Sequence, residues 1–237
     1  MPSTPMRRRL LAPAALVLAL PLLMGGHCGF LLDYGETRLI TDPVELVVFN
    51  VDDGNIDVVS YERNGVLLRR HTFAFQRRLE PPSFSVEDGV LGFSAHCKDN
   101  DDSCSFDHML ELPFGIGFDI TMDDAQIDMG YVDADITASF DTGYFNGVQL
   151  ASPRLDVTAS SAEIYADFAA IPESVVIDLD RGDVTLSLPA GEYQCQLDAT
   201  NGEVILEGAG IVCNDVATAV LDVHLGVGDI LVTEAAS

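Results

Sequence analysis

The chain has 237 residues, with 12 Lys and Arg against 38 Asp and Glu, a formal net charge of −26. Apolar residues make up 48 %, enough for a sizeable core and incompatible with wholesale disorder. So acidic a surface repels phosphate backbones and argues against a nucleic-acid partner, while 20 Gly and no Trp suit tight turns better than long helices.

The N-terminus reads as an export signal. Arg7, Arg8 and Arg9 precede a 15-residue apolar run from Leu10 to Met24, too short to span a bilayer and suited to a signal-peptide core. Gly25-Gly26-His27-Cys28 follows and resembles a bacterial lipobox, in which Cys28 is lipidated and becomes the mature N-terminus. Gly25 and His27 depart from the usual lipobox residues, and ordinary signal cleavage is the alternative. Residues 1–27 are thus expected to be a lipoprotein-type signal peptide, 28–43 a short linker, and 44–235 one elongated domain.

Setting Cys28 aside leaves Cys97, Cys104, Cys195 and Cys213, an even number that reads as two disulfides in an exported chain. Of the possible pairings, sequence proximity favours Cys97 with Cys104 and Cys195 with Cys213.

From residue 44 onward one pattern recurs. In Ile177-Asp-Leu-Asp-Arg-Gly182-Asp183-Val184-Thr-Leu186, take Val184 as position zero. Apolar residues then fall at −9, −7, −5, 0 and +2, a small residue at −2 and usually a polar one at −1. Ile56, Ile127, Phe145, Ile164, Val204 and Ile230 head further copies, with Phe145 the poorest because Gly147 stands at +2. From 127 on, the zero positions are spaced by 18, 19, 20, 20 and 26. Period-two alternation marks strands buried on one face, and the small-polar pair marks a turn between two strands. Such units cannot bury their apolar faces alone and must pack on neighbours. The expected fold is therefore all-β, a β-solenoid or β-roll-like stack of about seven two-strand units of roughly 20 residues. Phe84–Val86 and Val90–His96 read as a hairpin about Glu87-Asp88-Gly89, and Leu112-Pro113 and Leu188-Pro189 as corners.

The repeated units, the Leu-Pro-x-Gly corners at 112–115 and 188–191, the exported N-terminus and the closing Val-Gly-Asp-Ile-Leu-Val-Thr-Glu-Ala together resemble the bacterial putative-adhesin family. That family is a domain of unknown function made of β-strand repeats. The resemblance spans roughly residues 44–235 and implies a solenoid-like fold at the cell envelope, with no catalytic residues to carry over.

Candidate chemistry is sparse. Asp99, Asp101 and Asp102 lie between Cys97 and Cys104 and are weak Ca²⁺ candidates, although the helix–loop–helix calcium pattern is missing; a solvated acidic tip is the plainer reading. Asp52-Asp53-Gly54-Asn55 reads as a turn before a ligand set, and Asp123-Asp124 is weaker still. His96, Cys97, Cys104 and His108 could suggest zinc, but the spacing is unusual and thiols in an oxidising compartment pair. There is no G-x-S-x-G, H-E-x-x-H or P-loop. The expectation is a non-enzymatic envelope protein for adhesion or scaffolding, anchored through Cys28, needing no cofactor and meeting an envelope or extracellular partner. The alternative is a polysaccharide-acting enzyme with carboxylates along a solenoid groove.

Overall fold

A computed structural model describes residues 31–75, 83–97 and 104–235. Cys28, with the segment expected to direct export, and Asp99, Asp101 and Asp102 lie outside the described residues. In chain order the strands are β1 (Leu31–Ile40), β2 (Leu46–Val51), β3 (Asp53–Ser60), β4 (Val66–Phe75), β5 (Ser83–Glu87), β6 (Val90–Ala95), β7 (Ser105–Leu112) and β8 (Gly117–Gly130). They continue as β9 (Ile136–Leu150), β10 (Arg154–Phe168), β11 (Ser174–Leu188), β12 (Gly191–Asn201), β13 (Val204–Glu207), β14 (Ile211–Cys213), β15 (Ala219–Val227) and β16 (Ile230–Glu234). All sixteen belong to one sheet, and the described residues contain no helix.

The middle of the sheet is parallel and in register with the sequence pattern. Ile56 pairs with Ile127, Ile127 with Phe145, Phe145 with Ile164, Ile164 with Val184, Val184 with Ile230 and Ile230 with Val204. The zero positions thus form one line across the strands, and the −9, −7 and −5 positions form others. Ile177, Leu179, Val184 and Leu186 are fully or almost fully buried, whereas Asp178 and Asp180 are exposed. A single apolar cluster runs from Ile40 to Val232, each large buried side chain contributing roughly 1.5–3 kcal/mol of transfer free energy.

Four features differ from the sequence expectation. First, β8 to β11 run as unbroken strands of 14 or 15 residues rather than as two strands joined by a turn. The bend falls at the small residue in position −2, Gly143 (φ 134°) and Gly182 (φ 135°) alternating with Ala125 and Ala162, and pairing with the next strand continues straight through it. Second, the region expected as a linker carries β1, antiparallel to β4 with Glu36 opposite Arg70. Its alternating Glu36, Thr37 and Arg38 hide an edge strand in which Glu36 is ion-paired with Arg70 of β4 and Ile40 is the buried apolar residue.

Third, a further parallel row exists that does not carry the sequence pattern. β6 pairs with β2, Val47 opposite Leu91, and β7 pairs with β3, Ile56 opposite His108. Residues 96–104 separate the two halves of this row, and its zero position is a histidine, so the motif is broken twice. Fourth, the spatial order departs from chain order at both ends. The row of β15 and β16 lies between β11 and the row of β12 and β13, and the row of β2 and β3 lies between β8 and the row of β6 and β7. The inward residues of β15 and β16 (Leu221, Val223, Leu225, Ile230, Val232) are almost completely buried. Cys195, Leu197 and Ala199 of β12 are only partly so, and the less apolar row takes the edge. The 26-residue interval before Ile230, against 20 before it, is the sequence trace of this detour.

The poor copy at Phe145 has a packing reason. A Cβ on Gly147 would lie 2.6 Å from Leu150 Cδ1, and the fully buried Leu150 side chain occupies the place that an apolar +2 residue fills elsewhere.

Cys97 is bonded to Cys104 with Cα atoms 6.1 Å apart, and Cys195 to Cys213 with Cα atoms 5.4 Å apart. The second bond ties β14 to β12, where only Gly191–Tyr193 pair with Ile211–Cys213. A Cys195→Ser, Cys213→Ser variant is expected to lose about 3 kcal/mol on the loop-entropy account of an 18-residue separation. Amide exchange should rise first at Ile211–Cys213; unchanged exchange there would contradict the clamping role.

Candidate functional site

Because the rows are in register, residues at equal positions line up on the surface. Positions −4 and −3 bring Asp52, Asp53, Asp123, Asp124 and Asp141 to one bend, where all but Asp52 line a groove of about 480 Å³ together with Asn55, Ser105, Gln126 and Thr142. Partial burial, then the neighbouring Asp124, Asp52 and Asp123, raise the Asp53 carboxyl above the ordinary aspartate range. Burial, with Asp52 and Asp141, raises Asp123 likewise, and His96 opposes the shift. Asp52 itself is engaged, its Oδ1 2.7 Å from His96 Nδ1 and its Oδ2 accepting the Cys97 amide. A groove of crowded, partly desolvated carboxylates attracts cations or basic side chains and holds protons more tightly than water does.

A second groove of about 490 Å³ lies on the same outward face at positions −1 and +1, lined by Asp128, Tyr144, Asn146, Glu163, Tyr165, Asp183 and Thr185. The Tyr144 hydroxyl donates to Asp128 at 2.9 Å, and the Asn146 amide donates to the same carboxylate at 2.7 Å. The hydrogen bond to Asp128, with some burial, raises the Tyr144 phenol. Tyr165 is 43 % exposed and presents an aromatic face.

The residues singled out from the sequence are only partly brought together. Asp53 and the Asp123-Asp124 pair, far apart in the chain, share the acidic groove, with Asp52 beside it, although the sequence reads the first set as a turn and the second as weaker still. The zinc-like set is dispersed: Cys97 and Cys104 bond each other, His96 faces Asp52, and His108 lies in the core between Phe49 and Phe93. His71 and His224, isolated in sequence, stand beside Asp107 at 3.9 Å and Asp222 at 3.1 Å. Among the described residues no group of three or more His, Cys, Asp or Glu is arranged to hold a metal ion. The second groove was missed because its residues come from four different units. Alignment of the units by their zero positions would have placed Asp128, Asn146, Tyr165 and Thr185 in one line.

No protein-family model matches the sequence, and no curated protein does. In fold the chain is similar to a crystal structure described as a putative cell adhesion protein from Clostridium sporogenes. The TM-score is 0.50 and the identity 14 %, over 85 % of this chain and 99 % of that one. Crystal structures described as putative adhesins from Bacteroides fragilis (TM-score 0.31, 12 % identity, 85 % of this chain and 97 % of that one) and Parabacteroides merdae (TM-score 0.26, 12 % identity, 86 % and 96 %) also match.

Proposed function

We propose that this chain is a non-enzymatic adhesion or scaffolding module of the bacterial cell envelope, a solenoid-like stack of β-repeat units exported and anchored through lipidated Cys28. The observation that carries this reading is the line of in-register parallel rows, which repeats acidic and hydroxyl side chains along one outward face at the strand spacing of about 4.8 Å. A rigid face of this kind engages an extended partner by many weak contacts. The fold similarity to the Clostridium sporogenes protein, described by its name as concerned with cell adhesion, supports the same reading. The partner is an envelope or extracellular component that is cationic or reached through cations, because the chain carries −26 formal charges. Ca²⁺ held by Asp99, Asp101 and Asp102 is the one cofactor the acidic tip suggests.

The test is a pull-down of the full-length chain, in detergent, against envelope fractions and glycans with and without Ca²⁺. Capture is expected, weakening as salt shortens the Debye length, with Cys28→Ala releasing the protein from membranes into the soluble fraction. A mature N-terminus other than a modified Cys28 would overturn the anchoring. The second reading, a polysaccharide-acting enzyme, draws on the raised carboxyls of Asp53 and Asp123 in one groove. Turnover of a polysaccharide that is abolished by Asp53→Asn or Asp123→Asn would establish it and displace the first.

A further inference from the structure

The two ends of the line of rows are finished differently. At the β7 end the zero-position His108 and its neighbour Leu110 are buried, covered by antiparallel β4, with β1 beyond it. Arg70, opposite His108, donates to Glu36, and the guanidinium groups of Arg38 and Arg70 lie over the Phe84 ring at 4.8 and 5.4 Å. This end has a polar lid. At the other end, Val204 and Leu206 pair with Ile230 and Val232, which are fully buried, yet both are 43 % exposed and Ile205 between them is 37 % exposed. Val204 and Leu206 occupy core positions with no described row beyond them.

The backbone is equally unfinished there. β13 pairs with β16 alone, and β12 meets β14 only over Gly191–Tyr193, so no described strand pairs with the outer side of residues 194–201 or 204–207. The Ile230 amide donates to the Glu203 carbonyl, which therefore points inward. Backbone groups alternate along a strand, so the amides of Val204 and Leu206 face outward. An apolar edge strand with free amides is a template for another strand.

Charge selects the occupant. Beyond Arg181 the chain has no lysine or arginine, and Glu203 and Glu207 flank the exposed segment with Asp229 and Glu234 on the neighbouring β16 side. Two copies pairing through this edge would bring like charges together, the usual protection of an exposed edge against self-association. A segment carrying Lys or Arg meets complementary charge instead. We propose that the β12–β13 edge takes up an extended strand of a partner polypeptide, apolar at alternate positions with basic residues between them. The proposal rests on the binding-module reading and names the partner chemistry for one surface of it.

The experiment uses the full-length chain in detergent and two fluorescein-labelled peptides of about eight residues, a typical strand length. One alternates Val with Lys, the other Val with Glu. By fluorescence anisotropy the Lys peptide is expected to bind at least about tenfold more tightly than the Glu peptide, and hydrogen exchange should show protection within residues 194–207. Leu206→Pro removes an outward amide at an edge position where proline is tolerated, and should weaken binding about tenfold. Glu203→Lys with Glu207→Lys, which leaves the backbone intact, should reverse the preference between the peptides. Equal affinities, no binding of either peptide, protection elsewhere, or affinities untouched by both variants would overturn the proposal. So would a concentration-dependent dimer abolished by Leu206→Pro, which would make a second copy the occupant. Envelope capture that persists while the peptides fail would remove this inference and leave the module reading standing; peptide binding without any envelope capture would do the reverse.

Discussion

Replacing Gly182 by alanine is expected to destabilise the protein by on the order of 3–5 kcal/mol, although only one methyl group is added. Gly182 sits at the bend of β11 with φ 135°, a region that residues with a Cβ rarely enter. A Cβ there would lie 1.6 Å from the carbonyl oxygen of Ala162 and 2.7 Å from its carbon. Neither backbone can yield cheaply, because β11 is bonded to β10 on one side and to β15 and β16 on the other. Gly143 would strike the Ala125 carbonyl, and Gly228 the Gly182 carbonyl, in the same way. Each row with glycine at the bend thus closes upon the backbone of its neighbour there. The informative control is Ala162→Gly, at the same position one row away, which should cost only about 1 kcal/mol through backbone entropy. Urea midpoints of the two variants measure the contrast. A Gly182→Ala protein within roughly 1 kcal/mol of the parent would show that the rows can separate at the bend.

Stability is expected to fall by up to about 3 kcal/mol between pH 6.5 and pH 4 because of one side chain, His108. It is 5 % exposed, in edge-on contact with the Phe49 and Phe93 rings at 5.3 and 5.0 Å, and its Nδ1 lies 3.1 Å from the Phe106 carbonyl. Burial pushes its pKa down from 6.5 to about 4, the charge of Arg70 pushes the same way, and the Phe106 carbonyl and Asp107 oppose them. Above pH 6.5 the imidazole is neutral in both folded and unfolded chains, and its burial carries no protonation penalty. As the pH falls below 6.5 the unfolded chain takes up a proton that the folded core refuses, and stability drops until the folded pKa is reached. The raised carboxyls of Asp53, Asp57 and Asp123 work in the opposite sense, since the folded state binds their protons more readily as the pH approaches the carboxylate range. The slope in the upper part of the window therefore belongs to the histidine. His108→Leu, which places an aliphatic residue where Ile56, Ile127 and Ile164 stand in their rows, should flatten the urea midpoint between pH 7 and pH 5. An unchanged slope in that variant would assign the effect to other groups.

How far the fold and the grooves were legible follows from what each depends on. Alternation within one strand, a small residue at the bend and an apolar zero position are local, and they recur because every inner row meets the same neighbours. Strand type, the inward residues from Ile127 to Val184 and the corners at Pro113 and Pro189 were readable for that reason. The row of β6 and β7 was not, because the residues carrying the Cys97–Cys104 bond split it and His108 replaces the expected aliphatic residue. β1 was hidden because its inward-facing Glu36 is held by Arg38 beside it and by Arg70, 34 residues away, and not by an apolar neighbour. The order of rows at the two ends depends on competition between segments for burial, in which Leu221–Val232 outbids the less apolar Cys195–Leu206. Both grooves depend on register, which sets Asp53 beside Asp124 and Asn146 beside Tyr165. By itself the sequence determined an acidic, all-β, cysteine-paired chain. Only the tertiary structure decided which of the described strands stands last, with no described neighbour beyond Val204 to Glu207, because an edge is defined by the absence of a neighbour, and no local pattern records that.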